Sequence, residues 1–255
     1  MDQMYWLKIA LFSILDWESE DGNNYVIARY ILEHYNELPG VSLTEISRQC
    51  NVSKAAVSRF IKELGLLDYI DLQMLIRSSS QIPKNPNNSS IEPQEDFFAL
   101  SEQYAENLRK AVSRQPYVEE LIRDIRQYRT VYAFGHLQAS HIAYTLRNNL
   151  AMEKIFCKCT QSWTEQIERI RRAGANDLIL VFSSSGDYFK RMDINMRFLD
   201  GEEAPRVYLI SFGDEKDVPH PKVRKISLGP ESRDLLSNTA MNLFINYVSC
   251  RIRCI

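Results

Sequence analysis

Three groups of side chains in this sequence could do chemistry. Between Ile46 and Lys62 the only charged residues are Arg48, Lys54, Arg59 and Lys62, all positive. The rest of residues 1–80 sets Lys8, Arg29 and Arg77 against eleven acidic residues. A basic island in an acidic surround is the pattern of a local phosphate-binding face, although a formal net charge of −2 gives the whole chain no global attraction for nucleic acid. The second group is Ser183, Ser184, Ser185 and Gly186. Between a strand and a helix, such a run offers hydroxyls and free backbone N–H groups to a phosphate; it also serves as an ordinary turn that caps its own helix. The third group is His136 and His141, whose imidazoles could serve as general acid or base. No carboxylate stands at a recognisable partner spacing, so no catalytic residue is assigned.

The five cysteines point elsewhere. Cys157 and Cys159 occupy alternate positions of an expected strand, which puts their thiols on opposite faces and argues against a shared metal. Cys250 and Cys254, four apart on a helix, read as core residues, and Cys50 falls in an apolar stretch. An odd number of cysteines in periodic segments suits a reducing compartment. No metal site or cofactor is expected.

Two short helices must position the basic island. Val41–Leu66 reads VSLTEISRQCNVSKAAVSRFIKELGL. Ser42 with Glu45 three residues on is a capping-box pattern, so a helix starts at Leu43 or Thr44 and ends at Cys50. Asn51 sits where the chain must turn sharply, and asparagine tolerates the left-handed conformation better than any residue except glycine. Val52 plugs the corner, Ser53 caps a second helix running to about Leu64, and Gly65 ends it. Leu43, Ile46, Val52, Ala56, Val57, Phe60, Ile61 and Leu64 fall at helical spacings and form a common core, with Ser47 small where the helices approach. The opposite face carries Lys54, Ala55, Ser58, Arg59 and Lys62. Small residues there let the backbone enter a major groove, the cations reach base edges or phosphates, and Ser53 at the helix start can meet a phosphate. An ordinary helical hairpin shares the polar outer face. The agreement of cap, turn, plug and charge favours a helix-turn-helix with Ser53, Lys54, Ala55, Ser58, Arg59 and Lys62 against DNA.

At 255 residues, with 45% hydrophobic and 25% charged side chains, the chain suits two globular domains without disulfides or metals. Met1–Trp17 lacks a basic start and a small-residue cleavage site, so it reads as an amphipathic helix burying Trp6, Ile9, Leu11, Phe12 and Leu15. No apolar run is long enough to span a bilayer, and a cytoplasmic protein without a membrane partner is expected. Three prolines, three asparagines and five serines between Arg77 and Glu95 mark a linker. The expected plan is a helix-turn-helix domain at 1–77, a linker at 78–95 and an α/β domain at 96–255. The last begins with a helical stretch, Asp96–Tyr128, broken near Pro116. Strands are expected at Thr130–Phe134, Lys154–Cys159, Leu178–Phe182, Arg206–Ser211 and Val223–Ser227. Helices are expected at Ala139–Ala151, Trp163–Ala173, Phe189–Leu199 and Leu235–Arg253. This alternation implies a five-stranded parallel sheet covered on both faces.

Val52–Gly65, VSKAAVSRFIKELG, resembles the run V-S-x-A-[TS]-V-x-R-F-x-[KR]-x-L-G of RpiR-family transcriptional regulators, with Ala56 in place of threonine or serine. Tyr25–Leu38 resembles that family's preceding helix. The resemblance implies a C-terminal sugar isomerase (SIS) domain, a flavodoxin-like sheet that binds phosphosugars. Val131–Ser140 then stands where the family has G-x-G-x-S after a strand, with Leu137 for the second glycine, Ala139 in the serine's place and Ser140 one residue late. Leu180–Tyr188 stands where it has S-x-S-G-x-T, with Tyr188 for the threonine and an added Asp187. The ligand residues so implied are Gly135, Ser140, Ser183, Ser184, Ser185 and Gly186. The expectation is a regulator of carbohydrate-metabolism genes, a homodimer or homotetramer on an inverted-repeat operator in double-stranded DNA, responding to a phosphosugar. Two alternatives stay open: a sugar-phosphate isomerase or binding enzyme with an accessory helical domain, and a regulator whose α/β domain only dimerises.

Overall fold

The computed structural model describes the chain except for residues 1–2, 65, 67, 81–93, 115, 137, 193, 231–235 and 255. It divides into two compact units, Met1–Ser90 and Ile91–Ile255. Most of the expected linker, Leu137 and the helix-ending Gly65 thus lie outside the described residues.

The first unit is helical: α1 (Gln3–Trp17), α2 (Asn23–Glu33), α3 (Leu43–Gln49), α4 (Lys54–Glu63) and α5 (Tyr69–Ser80), with a 3₁₀ turn at Leu38–Gly40. Helix α4 buries Ala56, Val57, Phe60 and Ile61, one stripe at successive-turn spacing, against Ile27, Ala28 and Ile31 of α2 and Ile46 of α3 among others. Each large apolar side chain so buried contributes about 1.5–3 kcal/mol. Helix α1 differs from expectation. It buries Leu7, Ala10 and Leu11, while Phe12 is exposed and Leu15 half-buried. The helix is rotated because the spacing of Leu7, Ala10 and Leu11 matches the helical period better than a stripe through Phe12. The side chains of Trp6 and Ile9 lie outside what is described.

The second unit opens with α6 (Gln94–Arg114) and α7 (Pro116–Gln127). Then follow β1 (Thr130–Gly135), α8 (Gln138–Met152), β2 (Cys157–Lys158), α9 (Trp163–Arg172), β3 (Asp177–Phe182), α10 (Tyr188–Arg191), a 3₁₀ turn at Met196–Leu199, β4 (Arg206–Ser211), β5 (Val223–Ser227) and α11 (Leu236–Arg253). The five strands lie in the order β2-β1-β3-β4-β5, all parallel. That is the flavodoxin-like order, whose crevice opens at the carboxyl ends of β1 and β3. Alternate strand residues divide between two cores. Leu178, Leu180, Tyr208 and Ile210 pack with α6, α7, α8 and α11; Ile179, Val181, Val207 and Leu209 pack with α9 and α10. Burial on both faces explains why these strands read as continuous apolar runs.

Two expected elements shrink. The strand placed at Lys154–Cys159 retains only Cys157–Lys158, because Lys154 takes φ +58° and the Ile155 N–H bonds back to the Leu150 carbonyl, closing the end of α8. The helix placed at Phe189–Leu199 is a single turn followed by a 3₁₀ turn that Asn195 caps by accepting the Arg197 N–H. Short polar side chains that capture nearby N–H groups compete with helix, as here.

Candidate functional site

The helix-turn-helix is built from local hydrogen bonds. Ser42 Oγ accepts the Glu45 N–H at 3.1 Å. The Glu45 carboxylate does not complete the capping box; it takes Arg48 at 2.6 Å and Gln49 at 2.6 Å. Arg48 and then Gln49 hold the Glu45 carboxyl below its ordinary value. Arg48 is therefore a paired charge, which removes one cation from the basic island.

After α3, Asn51 adopts φ +52°. Ser47 and Val52 clasp the turn twice: the Val52 N–H donates to the Ser47 carbonyl at 3.0 Å, and Ser47 Oγ donates to the Val52 carbonyl at 2.6 Å. Sequence reasoning gave Ser47 only a steric role. Ser53 Oγ then accepts the Ala56 N–H at 3.1 Å and starts α4. The α3–α4 pair is held from behind by α5. Tyr69 Oη donates to the Val41 carbonyl at 2.5 Å, Gln73 Nε2 donates to the same oxygen at 3.0 Å, and Arg77 donates to the Pro39 carbonyl at 3.0 Å. These three were missed, since nothing in their spacing identifies a backbone partner some thirty residues earlier. Cys50 is buried, and burial pushes its thiol up to about 11, so it is inert.

On the outer face Lys54, Ala55, Arg59 and Lys62 are exposed and Ser58 half-buried. Among the described residues, no side-chain hydrogen bond or ion pair holds Lys54, Arg59 or Lys62. A helix start, small residues and three free cations thus share one surface above a rigid apolar base.

The second site lies at the β1–β3 switch point. Gly135 ends β1, and a Cβ there would stand 2.6 Å from the Ala139 carbonyl oxygen, so the glycine allows α8 to start close against the strand. Ser140 is buried within α8. After β3, the Ser183 N–H bonds the Ile210 carbonyl at 3.1 Å, the Gly186 N–H bonds the Ser183 carbonyl at 3.2 Å, and Gly186 takes φ +74°. Ser184 Oγ accepts from Ser237 of α11 at 3.2 Å. The N–H groups of Ser184 and Ser185 make no hydrogen bond among the described residues. With α10 only four residues long, the expected contribution of a helix N-terminus is absent. The donors are the loop's own. Asp187 is paired with Arg191 at 3.4 Å, so it adds no free negative charge.

Tyr188 is fully buried. Its ring stacks on His136 at 4.8 Å between centroids, and its hydroxyl donates to Gln166 Oε1 at 2.6 Å. Gln166 Nε2 donates to the Gly135 carbonyl at 3.1 Å and the Thr160 carbonyl at 2.8 Å. Tyr188 therefore braces β1 against α9 instead of joining the serines. Burial, and then the Arg191 charge, depress the His136 imidazole to about 4, and both its ring nitrogens are sealed without a partner. A neutral ring with no hydrogen-bond partner among the described residues is a poor acid or base. His141 lies exposed on α8. A cavity of about 550 Å³ sits beside the switch point, at the ends of β4 and β5, lined by Gly213, Asp214, Glu215 and Ser227 among others.

Cys157 and Cys159 correct another expectation. Both pack against the core on the α8 side of the sheet, because Cys159 has already left the short strand, and Cys159 Sγ donates to the Ala143 carbonyl of α8 at 3.3 Å. Cys250 and Cys254 are exposed, not core.

With both sites described, likeness to known proteins can be stated. Residues 19–82 match the family described as helix-turn-helix domain, rpiR family. The chain carries an rpiR-family helix-turn-helix domain. It is 23% identical over 212 residues, 70% of this chain and 75% of the relative, to a protein of Caldanaerobacter subterraneus subsp. tengcongensis named as an HTH-type transcriptional regulator. Its likeness to the HTH-type transcriptional regulator YbbH of Bacillus subtilis is higher, 35%, but confined to 86 residues, 34% of this chain and 30% of that one. Among solved structures, the Vibrio vulnificus NanR protein complexed with ManNAc-6P is similar in fold. It shares 16% identity and a TM-score of 0.50 over 96% of this chain and 90% of that chain. The rpiR-type unit followed by a flavodoxin-like α/β unit is thus a plan this chain shares with other proteins.

Proposed function

We propose that this protein is a sequence-specific DNA-binding transcriptional regulator, with α4 in the major groove. The observation that carries the proposal is the outer face of α4, where Lys54, Arg59 and Lys62 are free and Ser58 and Ala55 are small. Arg59 reads a base edge, Lys54 and Lys62 take phosphates, and Ser53 sits at the helix start beside the backbone. A second copy brings a second α4, so the operator is an inverted repeat with half-sites about one turn apart or a multiple of it. In this reading a linker at 78–95 joins a DNA-binding domain to an α/β domain at 96–255 that dimerises.

The α/β unit senses a phosphorylated sugar at the Ser183–Gly186 loop. Support comes from the free Ser184 and Ser185 N–H groups at the carboxyl edge of a parallel sheet. A relative in fold, NanR, is described in complex with ManNAc-6P. Ligand binding favours one spacing of the two heads over another. The buried neutral His136 favours regulator over isomerase, since an isomerase needs a titrating pair at that loop.

Arg59→Ala tests the DNA assignment. An operator is selected from randomised duplexes by the wild type, and the variant is titrated against it and against single-base changes. Binding weakened by about 1–3 kcal/mol, with specificity relaxed at one base pair per half-site, is expected. Wild-type affinity and specificity in the variant would sink the assignment.

A further inference from the structure

Lys225, on β5, is 3% exposed. The register pairs it with Leu209, which packs on the α9–α10 face of the sheet, so its side chain leaves the strand on that face. Its ammonium emerges at the carboxyl edge. There Nζ donates to the Asp217 carbonyl at 3.3 Å and lies 3.9 Å from the point where a Cβ on Gly186 would stand. Ser211 Oγ is 3.4 Å from the same point. The serine loop therefore rests directly over a buried cation.

That cation is under-satisfied. An ammonium has three N–H donors and this one has a single carbonyl acceptor; among the described residues no carboxylate pairs with it. Lysine is almost never fully buried unless paired. The carboxylate nearest in sequence on the loop, Asp187, is taken by Arg191. Across Gly186 lies a loop in which two N–H groups and the Ser183 hydroxyl have no partner among the described residues. A neutral sugar would need hydroxyl partners and no buried charge. A phosphate monoester would supply the missing countercharge and accept from all three loop donors.

Resting on the reading of the Ser183–Gly186 loop as the site of a phosphorylated ligand, we infer that Lys225 supplies that site's fixed positive charge from beneath the loop. Gly186 has no side chain to occupy the space over the ammonium, where a Cβ would lie in van der Waals contact with Ser211 Oγ and Lys225 Nζ.

The test uses the full chain as wild type, Lys225→Met, Lys225→Gln and Ser183→Ala, titrated calorimetrically with inorganic phosphate, glucose 6-phosphate and glucose. The wild type binds the first two and not glucose. Both Lys225 variants bind roughly tenfold or more weakly, as a charge-assisted contact demands. Unliganded, their thermal midpoints equal or exceed that of the wild type, because removing an unpaired buried charge does not destabilise. Lys225 variants that bind phosphate as tightly as the wild type, while Ser183→Ala weakens it, overturn the inference and leave the loop as the site. Lower unliganded midpoints in both Lys225 variants mark a structural lysine and also overturn it. A wild type that binds neither phosphate nor glucose 6-phosphate removes the loop reading itself, and the inference with it.

Discussion

Operator binding should weaken steeply as monovalent salt rises, and the structure sets how steeply. Each α4 presents three unpaired cations, Lys54, Arg59 and Lys62, whereas Arg48 is held by Glu45. With Arg59 at a base edge, the lysines of two heads neutralise about four phosphates, and at a slope of about −0.9 per phosphate the logarithm of affinity falls with the logarithm of salt at about −3.6. Between roughly 50 and 200 mM salt that is a loss of about 150-fold. Counting Arg48 would raise the slope to about −5.4 and the loss more than tenfold further. Lys62→Ala removes one contact per head and should shallow the slope by about 2 while weakening all sequences alike. The assay is fluorescence anisotropy of a labelled operator across a salt series. A slope of about −5.4 in the wild type, or an unchanged slope in Lys62→Ala, would refute the assignment of free and paired cations on α3 and α4.

Other outcomes follow from single residues. Asn51→Ala, at φ +52°, should cost about 1 kcal/mol in urea unfolding of the helical unit and Asn51→Gly almost nothing; equal losses would mean the turn is held by something other than its backbone angle. Gly135→Ala places a methyl 2.6 Å from the Ala139 carbonyl oxygen and should cost about 1–3 kcal/mol, while a thermal midpoint equal to wild type would show that α8 can give way. His136 is depressed to about 4, so below its ordinary value of about 6.5 the unfolded chain takes a proton that the native ring refuses. Stability is then full above about pH 6.5 and falls as pH drops toward 4, by up to about 1.4 kcal/mol per pH unit. His136→Phe should flatten that fall in urea midpoints taken near pH 7.5 and 5, and an identical fall in both proteins would contradict it.

The sequence carried some elements to the residue and misplaced others for physical reasons. Arg206–Ser211 is a strand with the expected ends, because an apolar run buried on both faces and bounded by polar turns leaves little freedom, and Val223–Ser227 keeps its expected ends although Arg224 and Lys225 stand between its apolar residues. Ser42, Asn51 and Ser53 were legible since caps and left-handed turns depend on the residue itself. The short β2 and the one-turn α10 were not, because closure of α8 through Lys154 and the capture of Arg197 by Asn195 depend on which of two competing hydrogen bonds forms. The ligand loop was visible as Ser183–Gly186, but its deepest partner was not. Lys225 lies about forty residues away on another strand, and only the parallel register of β4 and β5 brings it beneath Gly186. The same long-range packing turned Tyr188 from a ligand-loop substitution into a brace on His136 and Gln166.

The central claim is that the outer face of α4 lies in the DNA major groove. The most direct measurement places a photocrosslinking amino acid at Ser58 of the full chain, with a second protein carrying it at exposed Met74 on α5 as the control. After irradiation on a selected operator, crosslinks from position 58 should map to bases in two symmetric half-sites about one helical turn apart, or a multiple of it, and the α5 control should give none. DNA crosslinking from α5 with none from position 58 would contradict the account.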